Sequence, residues 1–201
     1  MTGPDDSIEG RIAEILAAEA AAIAAVPVTP AFADAVRALD ACRGKVLTTG
    51  MGKAGHVARK LAATLCSTAV PAVFLHPGEA LHGDLGLVAP GDVLIAFSNS
   101  GRTREVLAAI DLGRRLGLAS VIGVTSHADS PLRGRCEIVL DMGPIVEPCK
   151  LGLTPTASIA VMLAISDALA LTLMERRGVT REDFGVRHHG GYLGEKARDP
   201  G

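Results

Sequence analysis

Aromatic side chains are nearly missing from this chain: among 201 residues there is no Trp, one Tyr and four Phe. A nucleic-acid site built on base stacking therefore has almost nothing to stack on. A surplus of one charge is missing too. Twenty Lys and Arg against 22 Asp and Glu leave a formal net charge of -2, which offers no basic field to a phosphate backbone. Cysteines are few and far apart, Cys42, Cys66, Cys136 and Cys149, with no CxxC pair. This excludes metal-knuckle spacing, and at this length it argues against a disulfide framework, so reduced thiols in a cytoplasm are expected. A signal-peptide pattern is absent: Asp5, Asp6 and Glu9 make the start acidic, and Glu14 and Glu19 interrupt the alanine-rich run. One long apolar stretch exists, Leu151 to Met174, but it contains Asp167, Thr154, Thr156, Ser158 and Ser166. An intramembrane carboxylate is costly, so the stretch is expected to be the central buried helix of a soluble protein or oligomer, with no membrane partner.

What is present alternates between two kinds of segment. Helices are predicted over Ile8–Ala25, from Thr29-Pro30 to about Ala41, Lys53 to about Ser67, Arg104 to about Leu116, and from a Thr154-Pro155 cap to near Gly178. Strands are predicted at Lys45–Thr49, Ala72–Leu75, Val93–Phe97, Ser120–Thr125 and Glu137–Asp141. His76 to Gly86 reads as a polar loop, Ser130-Pro131 as the start of a short helix, and Gly185 to Gly201 as a glycine-rich tail. Short runs of Val, Ile, Leu and Ala suit strands buried on both faces. The alternation predicts an α/β fold: a doubly wound three-layer sandwich on a five-stranded parallel sheet, with extra N- and C-terminal helices. Residues 1–43 are expected to pack on a core of residues 44–178, followed by a tail over residues 179–201. Ligands of such sheets bind beyond the strand C-termini where the strand order reverses, here between the first and third strands.

The turn Ser98-Asn99-Ser100-Gly101-Arg102-Thr103 joins the third strand to a helix N-terminus. Free N–H groups and the positive end of the helix dipole favour a phosphate there, and hydroxyls add donors without fixed charge. Gly50-Met51-Gly52-Lys53-Ala54-Gly55 fits GxGxxG, but the second strand ends at His76-Pro77 without the acid that holds a ribose, which demotes a nicotinamide cofactor. Lys53 could instead neutralise a phosphate or a developing oxyanion; alone, it reads as a surface lysine. His76, His82 and Asp84 could meet on a metal, although a polar loop with interface contacts fits their spacing better. Glu105 can serve merely as a first-turn acid. Glu147, between Pro144 and Pro148, is a base candidate or a surface acid. His188 lies in a tail that the bare fold does not need.

Taken in order, these segments resemble the arabinose-5-phosphate isomerase family of the sugar isomerase (SIS) fold, from about Gly44 to Gly194. The carrying motifs are Gly50 to His56, His76 to Gly86, Ser98 to Gly101, Glu147 to Thr156, Asp183-Phe184, and His188 with Gly190-Gly191. The resemblance implies interconversion of D-ribulose 5-phosphate and D-arabinose 5-phosphate by a homotetramer with sites shared between subunits. It places Lys53, Glu105, Glu147 and His188 at the catalytic centre. It gives the substrate to Gly52, Ser98, Asn99, Ser100 and Thr103, with help from Thr156 and Ser158. No cofactor is required; His82 is where relatives can bind an inhibitory zinc. Ala54, Pro148, Lys150, Ala157, Arg187 and His189 depart from the family pattern. Many relatives continue into paired CBS domains past the point where this sequence stops, so either a single-domain form or a chain cut before them is expected.

An aldose–ketose isomerase moves a proton between neighbouring carbons through a cis-enediolate, which needs a base and polar donors. Glu147 or His188 is the expected carbon base, with Lys53 stabilising an oxygen and Glu105 orienting Lys53 or the substrate. The alternatives are an isomerase of a heptulose or hexulose phosphate, a non-catalytic phosphosugar sensor, and the weakened nicotinamide oxidoreductase.

Overall fold

The computed structural model describes residues 7–198. Its elements are α1 (Ile8–Ala24), α2 (Pro30–Asp40), β1 (Val46–Gly50), α3 (Lys53–Ser67), β2 (Ala72–Phe74), α4 (Pro77–Ala80), β3 (Val93–Phe97), α5 (Arg104–Arg115), β4 (Ser120–Thr125), β5 (Ile138–Asp141), α6 (Ala157–Arg176), α7 (Arg181–Arg187) and α8 (Gly191–Arg198). The five strands form one parallel sheet in the order β2-β1-β3-β4-β5. The order reverses between β1 and β3, which pair from Val46 opposite Val93 to Gly50 opposite Phe97. This opens a crevice beyond their C-terminal ends.

The period of two along each strand divides the core. Val46, Val93, Ile95, Phe97 and Ile122 face α2, α3 and α6. Leu47, Leu94 and Val121 face the other way, under Val106 and Ile110 of α5. β1 and β3 are buried along their whole length, so every residue in them meets a packed layer. Each large aliphatic side chain taken from water there contributes about 1.5–3 kcal/mol. Asp92, just before β3, closes the opposite end of the sheet. It is fully buried and accepts from the Lys45 N–H at 2.8 Å, the Lys45 ammonium at 2.6 Å and the Ala89 N–H at 2.8 Å.

The long apolar segment is α6, which packs against α1, α2 and α3. By length and composition it could cross a membrane, yet half of its apolar window is buried within the chain. Ser166 is buried and donates to the Met162 carbonyl at 2.7 Å, while Asp167 pairs with Lys60 of α3. Ser166 and Asp167 thus have partners inside one folded chain.

Some boundaries differ from expectation. The first strand runs one residue later, to Gly50, because Gly50 still pairs with Phe97. The second strand ends at Phe74 and the fifth begins at Ile138. The helix expected at Ser130-Pro131 is a 3-10 turn over Arg133–Arg135. The glycine-rich tail is helical as far as Arg198: Thr180 and Asp183 form a reciprocal capping box that starts α7, and α8 folds back on α7. None of the residues of α1 is buried, and Ile8, Ile12 and Leu16 stay exposed.

Candidate active site

The turn after β3 is tight. Gly101 donates its N–H to the Ser98 carbonyl at 3.0 Å and adopts φ +61°, where a side chain is strained. The Ser98 and Thr103 hydroxyls lie 2.9 Å apart, and the Ser100 hydroxyl accepts from the Arg102 N–H at 3.3 Å. Thr103 is the N-cap of α5, but its side chain makes no cap hydrogen bond. The first N–H groups of α5 are therefore left for something else. Gly52 caps α3 at φ +58°, again without a side-chain cap. Gly55 permits α3 to touch β1: a Cβ there would lie 2.6 Å from the Gly50 carbonyl oxygen.

Between these helix starts lies a cavity of about 290 Å³, near the small end of ligand pockets, which run from about 300 to 1,000 Å³. Lys53 and Ala54 line it from α3; Ser98, Asn99, Ser100 and Thr103 from the turn; Pro155 and Ser158 from the start of α6. Lys53 is exposed and has no carboxylate partner among the described residues. Three helix N-termini thus converge on one space, and those of α3 and α5 are open.

The third is closed by the chain itself. Glu147 Oε2 accepts the N–H groups of Thr156 and Ala157, each at 2.8 Å. Oε1 accepts the Ser158 N–H at 3.2 Å and the Ser158 hydroxyl at 2.5 Å. Burial pushes this carboxyl up, but the Ser158 hydroxyl and the three N–H groups outweigh it and hold the carboxyl below the ordinary glutamate value. The expected Thr154-Pro155 cap is corrected accordingly: Thr156 is the N-cap, it makes no side-chain cap bond, and the cap comes from Glu147. Ser158 is fully buried with its proton directed at Glu147, so it does not offer that proton to a phosphate. Thr156 keeps a buried hydroxyl with no partner among the described residues. In the same loop, the Cys149 thiol accepts from the N–H groups of Thr154 and Leu153, each at 3.3 Å. The Thr154 N–H, then its hydroxyl, then the Leu153 N–H lower the thiol to about 7.

Two of the expected catalytic residues stand apart. Glu105 sits in the first turn of α5, outside the cavity wall, and forms no ion pair with Lys53. His188 ends α7, stacked on Phe184 with ring centroids 4.3 Å apart. It lines a separate cavity with Thr64 and Thr68, at the far end of α3 from Lys53. Eleven to fifteen residues of helix separate the two ends, roughly 16–22 Å at about 1.5 Å per residue. Within one chain, His188 therefore does not meet the Lys53 cavity.

His76 Nδ1 is taken by the Glu79 N–H at 3.3 Å, and the His82 backbone N–H donates to the Glu79 carbonyl at 2.8 Å. Among the described residues no three His, Cys, Asp or Glu side chains cluster as metal ligands. The residues of one chain do not fit a zinc site at His82, nor the one conceived from His76, His82 and Asp84.

Sequence reasoning missed what braces the turn. Ser126 donates to Asn99 Oδ1 at 2.7 Å, and Thr125 to the Asn99 carbonyl at 2.9 Å. Beneath Gly101 lies Ser130, buried, its hydroxyl without a partner among the described residues. The available signal was position: Thr125 ends β4, the strand beside β3, and Ser126 follows it.

Comparison with known proteins agrees with this fold. The family described as "SIS domain" matches residues 41–172. The arabinose 5-phosphate isomerase KdsD of Pseudomonas aeruginosa is 47% identical over 165 residues, covering 82% of this chain and 50% of the relative. The chain thus spans about half the length of the curated relatives it matches. A crystal structure of a putative phosphosugar isomerase involved in capsule formation from Bacteroides fragilis is 44% identical, with a TM-score of 0.88, covering 92% of this chain and all (100%) of the other. The structure of c3406 from Escherichia coli CFT073 in complex with arabinose 5-phosphate is 40% identical, with a TM-score of 0.86 and coverages of 94% and 100%.

Proposed function

The chain belongs to the SIS domain family, and from that premise we propose that it is an aldose–ketose isomerase interconverting D-ribulose 5-phosphate and D-arabinose 5-phosphate. The observation that carries the proposal is the open N-terminus of α5 behind the Ser98–Thr103 turn, facing Lys53 across a cavity of about 290 Å³. The phosphate sits on that turn, held by hydroxyls and N–H groups. This anchors the sugar and fixes its reactive carbons. Lys53 supplies positive charge to the enediolate oxygen or the phosphate. The relatives named for arabinose 5-phosphate, and the relative solved with that sugar phosphate, support this substrate.

The proton carrier comes from a second copy of the chain. His188 is remote from its own cavity, while Glu147 has both oxygens engaged. We therefore assign the carbon base to His188 of the partner subunit and give Glu105, which lies outside the cavity wall, no contact with the sugar. Apolar surface supports a homotetramer. An open groove of about 770 Å³ between α2 and α6 is lined by Ile23, Val28, Phe32 and Leu169 and rimmed by Arg37 and Arg176. It lies beside α1, which packs on α6 without fully burying any of its residues and leaves Ile8, Ile12 and Leu16 exposed. A cytoplasmic setting fits the four free cysteines.

The test is direct. Purified protein is mixed with D-ribulose 5-phosphate and the products are resolved by NMR. Arabinose 5-phosphate should accumulate with solvent deuterium at C2. Binding without turnover would instead make the chain a phosphosugar sensor, and turnover of only longer sugar phosphates would reassign the substrate.

A further inference from the structure

We propose that Glu147 is the resident anion of the α6 N-terminus and a positioning residue, not a proton carrier; this second half rests on the isomerase reading above.

Three helices point their positive ends at the cavity, and a dianion arriving there could settle at any of them. The α6 end is closed. A carboxylate offers two oxygens and about four lone-pair sites, and four donors reach Glu147: the N–H groups of Thr156, Ala157 and Ser158 and the Ser158 hydroxyl. No lone pair remains to take a proton from carbon. The first turn of α6 carries no acid of its own, and its N-cap side chain makes no cap bond. The anion is supplied from nine residues upstream of Thr156, which ties the 147–156 loop to the helix. Pro155 and Ser158, which line the cavity, are set by that tie.

Two consequences follow for a ligand. A phosphate is left only the α3 and α5 ends, which places it on the Ser98–Thr103 turn and fixes which way the sugar points. The wall opposite the turn holds its shape only while Glu147 is charged and bonded.

The experiment has two arms. The first needs no turnover: thermal unfolding of the full chain with and without inorganic phosphate, in wild type and Glu147→Ala. Removal of the resident anion opens a third helix N-terminus, so phosphate should raise the melting temperature more in the variant than in wild type. An equal rise in both overturns the resident-anion assignment. The second arm measures kcat, KM and C2 deuterium exchange for Glu147→Gln. The amide keeps one acceptor oxygen but turns an NH2 group toward N–H donors. A positioning residue predicts KM raised about tenfold or more with kcat within about tenfold and exchange retained. A general base contributes about 10²- to 10⁴-fold, so a kcat loss of that size with KM and melting temperature unchanged overturns the positioning role. A wild type that neither isomerises nor exchanges removes the isomerase reading, and the phosphate arm still decides the resident anion.

Discussion

Glycine 101 offers the sharpest test of the phosphate turn. A Cβ at this position would lie 2.3 Å from the Ser130 hydroxyl oxygen, 2.4 Å from the Ser130 Cβ and 3.1 Å from the Leu132 Cβ. The backbone there is at φ +61°, which costs an L-residue about 1–2 kcal/mol. Overpacking adds about 1–3 kcal/mol. Gly101→Ala therefore carries roughly 2–5 kcal/mol of strain, divided between stability and binding. If all of it falls on stability, the melting temperature drops by about 4–20 °C for a domain of this size. If the turn shifts instead, affinity for ribulose 5-phosphate weakens by roughly 30- to 5,000-fold. Calorimetric melting and titration with the sugar phosphate measure both parts. A double-mutant cycle isolates the clash: Ser130→Gly removes both close atoms and should recover about 1–3 kcal/mol. Ser130→Ala leaves the Cβ at 2.4 Å and should recover little. On its own, Ser130→Ala should be nearly neutral, because its hydroxyl has no partner among the described residues. A Gly101→Ala protein with unchanged melting and unchanged affinity would refute the account of the turn.

Other expectations can be checked alongside. Lys53→Ala and His188→Ala should each abolish turnover, and co-expression of the two should restore about a quarter of the sites if each site takes one residue from each of two subunits; no recovery contradicts the shared site. At pH 7 a thiol lowered to about 7 is half thiolate, so iodoacetamide should label Cys149 well ahead of Cys136, which burial pushes up to about 12; peptide mass spectrometry reads the order, and equal labelling counts against it. Burial raises the Asp92 carboxyl, but Lys45 and the N–H groups of Lys45 and Ala89 more than offset this and depress it below 3.8. A depressed carboxyl stabilises the fold above its unfolded value and loses that contribution as pH falls through the folded one. Asp92→Asn should therefore cost about 2–3 kcal/mol at pH 7 and progressively less below about pH 4, as read by urea melts; a gap that does not change with pH argues against the ion pair.

Much of this was legible in the chain. Val93–Phe97 is apolar at every position, and its place between two helices marks a strand with both faces covered. The Ser98–Thr103 turn could be read because hydroxyls, glycine and a helix start are local features. Glu147 could be seen as an acid in a constrained loop, but its partners lie nine to eleven residues on. Only the folded loop shows that the carboxylate is a cap. His188 was legible as a residue without a structural task, whereas its distance from Lys53 depends on where α7 docks against α3. Ser130 had no signature, since its significance is a contact with a backbone atom far away in sequence. Helical order in the tail was hidden by its glycines, although Thr180 and Asp183 stand at capping-box spacing.

The close approach of β1 and α3 explains why the glycine pattern suggested a cofactor at all. Any side chain at residue 50 would meet the Ala54 carbonyl at 2.9 Å, and any at residue 55 would meet the Gly50 oxygen at 2.6 Å. Both obstacles are backbone, and no change of ligand moves them. Selection at these two places therefore records a distance between a strand and a helix. A dinucleotide enzyme and a sugar-phosphate enzyme that share that distance will share the pattern, and the chemistry is written beside it, in Lys53 and in the hydroxyls across the crevice.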